Sequence, residues 1–164
     1  MNGINNELYS EILPGLYMGG TADDDVVDVA KPLKNLNATN EFDSVVTAYS
    51  WAQPMSWYVH ENRFGFADGP INNETFVKVK ELANWLHTEW KAGKRCLSRC
   101  QAGANRSGLI LALVLMKEGF SARDAICLIK DKRGSFALGN MHFQNVLLSL
   151  NSKQDDPTNL NSSN

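Results

Sequence analysis

The residues able to carry out covalent chemistry are concentrated in one segment, Cys-Leu-Ser-Arg-Cys-Gln-Ala-Gly-Ala-Asn-Arg-Ser-Gly, from Cys96 to Gly108. A strand, a short loop of glycine and small residues, and a helix N-terminus in succession bring several backbone N–H groups to one point, which makes an anion site. Gln101, Ala102, Gly103, Ala104 and Asn105 supply that loop, and Gly103 allows backbone angles that a Cβ would resist. Arg106 closes it with a planar guanidinium that can hold two oxygens of a phosphate. Cys100 opens it. A thiol aimed at converging N–H dipoles, with Arg99 and Arg106 nearby, is expected to exist as the nucleophilic thiolate. Attack on a bound phosphoryl group would give a cysteinyl-phosphate, and the Ser107 hydroxyl could donate to the sulfur as it leaves in the second step.

A cysteine followed six positions later by arginine is a weak signal in a chain with three cysteines, arising by chance at roughly 10%. Requiring also the central glycine and the serine after the arginine lowers this to about 10⁻³. The motif therefore outweighs the ordinary reading of Cys100 as a core cysteine. Cys96 and Cys127 keep that ordinary reading as buried structural residues, with a redox partner as the alternative for Cys127. No lysine lies between Cys100 and Gly108 and no G-x-x-x-x-G-K-[ST] occurs, which excludes a nucleotide kinase or GTPase loop.

The elements around this segment follow from periodicity and punctuation. Glu11 to Gly20 reads as a hairpin about a Pro-Gly turn, and Thr21 with Asp23, Asp24 and Asp25 as an acid-rich helix start running to Ala30. Phe42 to Tyr49 and Ser56 to Phe66 read as strands. Asn72 or Asn73 caps a helix with Phe76, Val79, Leu82, Ala83, Leu86 and Trp90 on one face and Gly93 as its stop. Arg95 to Arg99 is a short strand and Ser107 to Glu118 an apolar helix. Ser121 opens another helix with Asp124 three places on, and a last one begins near Asn140 with Phe143, Val146, Leu147 and Leu150 at core spacing. The expected fold class is α/β, a central sheet covered by helices in one domain over 1–150, followed by a disordered polar tail over 151–164.

Bulk properties exclude several functions. A charge of −2 and a pI near 5.9 give no net attraction to polyanions, so nucleic acid is not the expected partner. The run from Met1 to Ser10 lacks a cationic and an apolar region, and Leu109 to Met116 is far short of the roughly 20 residues of a membrane span. The odd cysteine count fits a reduced, cytoplasmic setting. Cys96 and Cys100, four residues apart on a strand, would sit roughly 13 Å apart, beyond disulfide reach. His60, His87 and His142 are scattered and no CxxC pair occurs, so no metal is expected.

Cys100 to Ser107 resembles the phosphate-binding loop of protein tyrosine phosphatases, and the wider pattern resembles their dual-specificity branch. Ile12 to Gly19 is similar to that branch's N-terminal hairpin motif, and Gly119 to Leu147 to its closing helices, including Ala125-Ile126, Arg133-Gly134 and Asn140 to Phe143. The resemblance implies a mixed sheet of about four to five strands flanked by helices, and phosphoester hydrolysis without metal or cofactor. It also implies a general acid from a loop before the long helix. Asp68 in Phe66-Ala67-Asp68-Gly69-Pro70 matches; read from the residues alone, it equally fits a stabiliser of the Gly-Pro turn. One departure stands out: Arg99 occupies the place where the family usually has histidine before the nucleophile. Its charge is expected to take over part of the electrostatic role or, on its longer side chain, to reach solvent.

The resulting expectation is a monomeric phosphatase acting on a phosphorylated protein or peptide, at phosphotyrosine and also phosphoserine or phosphothreonine. The alternatives are a phosphate-binding module with little turnover, and a phosphatase on RNA 5′-triphosphate or a phospholipid. A sulfurtransferase or arsenate reductase would call for a different domain order or a resolving cysteine within reach.

Overall fold

The structure, a computed structural model, describes residues 8–21 and 42–154. Among these residues, strands β1 (Tyr9–Leu13), β2 (Leu16–Gly19), β3 (Ser44–Thr47), β4 (His60–Arg63) and β5 (Cys96–Arg99) form one sheet in the order β1-β2-β5-β3-β4. β1 and β2 are antiparallel, and the other neighbours are parallel. Helices α1 (Asn73–Lys91), α2 (Arg106–Lys117), α3 (Ala122–Arg133) and α4 (Met141–Gln154) complete an α/β fold of the expected kind.

The hairpin turns on Pro14 and Gly15, whose φ of 78° suits a residue without Cβ. Asn72 caps α1, its side chain accepting from the Thr75 amide at 2.8 Å, and Val79, Leu82, Ala83 and Leu86 form the buried stripe. α2 is buried on nearly every side, as its apolar sequence requires, and packs on β5 and β2 between the other three helices.

Strand alternation divides the sheet's side chains between two clusters. Leu16, Met18, Val46, Ala48, Cys96 and Cys100 join the main core beneath α1 and α2. Tyr17, Val45 and Leu97 join Phe42 and Val59 on the opposite face. Because β3, β4 and β5 run parallel, the segments after each leave the sheet at one edge, where open α/β sheets bind ligands.

The strands are shorter than expected. From Ser56 to Phe66 only His60–Arg63 pairs, as an edge strand: Ser56 to Val59 is a turn, and Phe64 and Phe66 leave the sheet to pack on the core. Helix α4 continues past the expected start of the polar tail to Gln154, since adding a residue to an existing helix is far easier than starting one. The helix expected to run to Ala30 and residues 155–164 lie outside the described residues. Cys127 is exposed rather than buried, because Ala122, Ala125, Ile126 and Ile129 form the inward stripe of α3 and Cys127 falls off it. No helix among the described residues is long and apolar enough to cross a membrane.

Candidate active site

The segment from Cys100 to Asn105 joins β5 to the first residue of α2, Arg106, at the sheet edge where the parallel strands end. Its carbonyls are engaged outward: Gln101 O accepts from the Thr21 amide at 2.9 Å, Ala104 O from the Leu138 amide at 3.2 Å, and Gly103 O from Arg133 Nε at 2.9 Å. A trans peptide points its N–H opposite to its C=O, so the amides of Ala102, Ala104 and Asn105 are turned toward the inside of the loop. Gly103 adopts a φ of 69°, and a Cβ there would lie 2.5 Å from the Gly19 carbonyl carbon, the Gly20 nitrogen and Arg133 Nη2. Glycine is thus required by both conformation and space.

Cys100 sits at the base of the loop, 2% exposed, and its thiol donates to Ser107 Oγ at 3.3 Å. The Ser107 carbonyl accepts from Ser98 Oγ at 3.0 Å, fixing the first turn of α2 against β5. Arg106 donates from Nη1 to the Phe66 carbonyl at 3.2 Å, and its guanidinium lies 5.5 Å from the centre of the Tyr49 ring. Arg106 Nε is buried with no hydrogen-bond partner, a state that costs about 1–3 kcal/mol and that an oxyanion would relieve.

Asp68 is exposed, with both carboxylate oxygens engaged: Oδ2 accepts from Asn105 Nδ2 at 3.0 Å and Oδ1 from Asn140 Nδ2 at 2.8 Å. Asn140 also donates its backbone N–H to Asn105 Oδ1 at 2.9 Å, and its own Oδ1 caps α4 by accepting from the His142 and Phe143 amides. These bonds join the Asp68 loop, the Cys100 loop and the start of α4.

Arg99 does neither of the things expected of it. It is 3% exposed, so it does not reach solvent, and strand alternation turns it to the face opposite Cys100. There it donates to Thr47 Oγ1 at 2.9 Å, Glu61 Oε2 at 3.1 Å and the Gln53 carbonyl at 2.5 Å. Burial pushes the Glu61 carboxyl up, but the Thr47 hydrogen bond and the Arg99 and Arg63 charges outweigh it and hold the group below its ordinary value. The Arg99 charge is therefore directed at Glu61 rather than at the thiol.

The structure thus brings Cys100, Ser107, Arg106 and the loop 101–105 together, and ties Asp68 to that loop through Asn105. Reading the sequence for reactive residues gave no role to Arg133, Asn140, Tyr49 or Glu61. Arg133 and Asn140 fall in segments quoted for the family resemblance, whereas Tyr49 and Glu61 carried no local signal.

Residues 27–153 match the family model described as the dual specificity phosphatase catalytic domain. Dual specificity protein phosphatase 22 of Mus musculus is 32% identical over 139 residues, covering 84% of this chain and 71% of that protein. Dual specificity protein phosphatase 15 of Homo sapiens is 33% identical over 125 residues, 74% of this chain and 39% of that protein. Among solved structures, that of DUSP15 superimposes with a TM-score of 0.71 at 26% identity, covering 92% of this chain and 91% of that one. Human DUSP28 superimposes with a TM-score of 0.69 at 21% identity over 89% of this chain and 94% of that one, a likeness of fold. The chain belongs to the dual specificity phosphatase family.

Proposed function

We propose that this chain hydrolyses phosphate monoesters on proteins, at phosphotyrosine and also at phosphoserine and phosphothreonine, through a cysteinyl-phosphate. The observation that carries this reading is the loop itself: outward carbonyls, inward amides, the Cys100 thiol at one end and the unpaired Arg106 Nε at the other.

In the first step the amides of the 101–105 loop and the Arg106 guanidinium hold the phosphoryl oxygens while Cys100 Sγ, as thiolate, attacks phosphorus. The bond to the leaving oxygen breaks and that oxygen takes a proton from Asp68, releasing the alcohol or phenol. Each Asp68 oxygen keeps a second lone pair beside the one its asparagine occupies, so the acid can carry this proton without losing either contact. In the second step Asp68 takes a proton from water, the water oxygen attacks phosphorus, and the S–P bond breaks. The returning charge on sulfur is received by the Ser107 hydroxyl, which reverses the bond seen here and donates to Sγ. The products are inorganic phosphate and free thiolate, with no cofactor. The free cysteines support a reducing compartment, the cytoplasm, as its place of work.

Turnover of para-nitrophenyl phosphate and of phosphotyrosine and phosphothreonine peptides by wild type, Cys100→Ser and Asp68→Ala tests the reading. The expected result is loss of all activity in Cys100→Ser and, in Asp68→Ala, a drop of about 10²-fold or more on the phosphopeptides with a smaller drop on para-nitrophenyl phosphate. Wild-type turnover no faster than Cys100→Ser would refute it.

A further inference from the structure

The segment that follows β3, from Tyr49 to Gln53, leaves the sheet, and four of its carbonyls are taken up by two guanidinium groups. Arg63 donates from Nη1 to Tyr49 O at 3.3 Å, Ser50 O at 3.2 Å and Ala52 O at 2.7 Å, and from Nη2 to Gln53 O at 3.2 Å. Arg99 donates to the same Gln53 carbonyl. Glu61 Oε2 lies between the two arginines, 3.1 Å from each, and Thr47 donates its hydroxyl to the same oxygen. Strand register explains the assembly: Thr47 pairs with Arg99 on one side and with Arg63 on the other, so all four side chains share one face.

The segment held in this way reaches Arg106, the residue that closes the phosphate loop. Tyr49 packs on the main core, and its ring faces the Arg106 guanidinium. Arg99 and Arg106 are therefore joined twice, along the chain through Cys100 and through space by way of Glu61, Arg63 and Tyr49.

We propose that Arg99 is a positioning residue for phosphate recognition, acting with Glu61 and Arg63 to fix the 49–53 segment and so hold Tyr49 against Arg106. The inference rests on the reading that Arg106 binds the phosphoryl oxygens. Two cations on one half-buried carboxylate add little net stability compared with an apolar replacement, but they restrict the arrangement of the groups they bind. A forked guanidinium is needed here because three acceptors at different angles must be met at once.

The test compares wild type with Arg99→Gln, Arg99→Lys, Glu61→Gln and the double variant Arg99→Gln/Glu61→Gln. Three quantities are measured: the Kd of inorganic phosphate by calorimetry, KM and kcat on para-nitrophenyl phosphate, and hydrogen exchange at Ala52, whose amide donates to Tyr49 O at 3.3 Å. Loosening the segment is expected to raise Kd and KM about tenfold with kcat within about threefold, and to speed Ala52 exchange. Arg99→Lys should recover part of the affinity, and the double variant should be no worse than the weaker single one, since both act through one segment. Should Arg99→Gln prove too unstable, Glu61→Gln and Arg99→Lys carry the same comparison. Folded variants with wild-type Kd, KM and Ala52 exchange would overturn the proposal. So would a fall in kcat alone, which would assign Arg99 to the thiol, or weaker affinity with unchanged exchange, which would assign it to the anion. A wild type that binds phosphate without turnover would refute hydrolysis and leave the proposal to be judged on Kd and exchange; a wild type that binds no phosphate would refute both.

Discussion

Asn105 Nδ2 lies 3.0 Å from Asp68 Oδ2, so a residue of the phosphate loop donates directly to the carboxylate assigned as general acid. With Asn140 on the other oxygen, two neutral amides orient Asp68 without adding charge. On the proposed mechanism, this ties the acid to the loop that would hold the reacting phosphorus.

Replacing Asn140 with aspartate keeps an oxygen to cap α4 but removes the amide donor and sets a second carboxyl beside Asp68. The expected outcome is a kcat at least about tenfold lower on alkyl or phenyl phosphates with poor leaving groups, and much less loss on para-nitrophenyl phosphate, whose leaving group needs little protonation. Kinetics across a leaving-group series checks this; equal losses on all substrates would argue that Asn140 acts elsewhere.

Thiol labelling should separate the three cysteines. Burial pushes the Cys96 thiol up to about 12, with Glu89 and Asp43 adding to the effect, so Cys96 is expected to resist iodoacetamide near neutral pH until the protein unfolds. Cys127 is exposed and should label freely. Cys100 should label in a manner that inorganic phosphate blocks. Peptide mapping by mass spectrometry reads all three sites, and phosphate-insensitive labelling of Cys100 would contradict the assigned site.

Gly103→Ala should abolish phosphate binding. The added methyl would meet main chain at Gly19 and Gly20, and alanine at this φ carries a strain of roughly 1–3 kcal/mol before any contact is counted. Calorimetry with inorganic phosphate and a melting curve give the two readouts. A variant with wild-type affinity would mean that the loop does not use this geometry when occupied.

Acid should destabilise the fold through Glu61. Its folded value is below the ordinary 4.5, so it contributes stability above that pH, and the contribution disappears as pH falls through the lower folded value. Glu89 and Glu118 are depressed as well, chiefly by hydrogen bonds from Lys94 and His87, so wild type should lose Tm below about pH 4.5 by more than one group's share. Glu61→Gln should start lower at neutral pH and fall less steeply. Parallel Tm curves for the two proteins from pH 7 to pH 3 would show that Glu61 is not a titrating contributor.

Much of the molecule was readable from residue order, because its signals are local. The Pro14-Gly15 turn, the Asn72 cap, the apolar stripe of α1, the Ser121 start of α3, and the spacing of Cys100, Gly103, Arg106 and Ser107 each lie within a few residues of one another. The fate of Arg99 was half readable. Alternation along Cys96 to Arg99 sets it opposite Cys100, but its partners Thr47 and Glu61 are 52 and 38 residues away and only the strand order brings them near. Asn140 reaches Asp68 across 72 residues, and no periodicity encodes such a contact. The short pairing of β4 was missed because aromatic and β-branched residues mark a surface to be buried, and Phe64 stacks on Phe66, which packs on Phe143, instead of lying in the sheet.

The ground beneath the phosphate loop is the end of the N-terminal hairpin, where Thr21 meets Gln101 across eighty residues of chain. Such a cradle exists only after distant stretches have closed on each other, so it should be among the later features to form as the chain folds. An oxyanion, binding the finished site alone, would then act as a ligand of the native state: raising its concentration should slow the observed loss of structure on heating, in a protein that makes that same ion as its product.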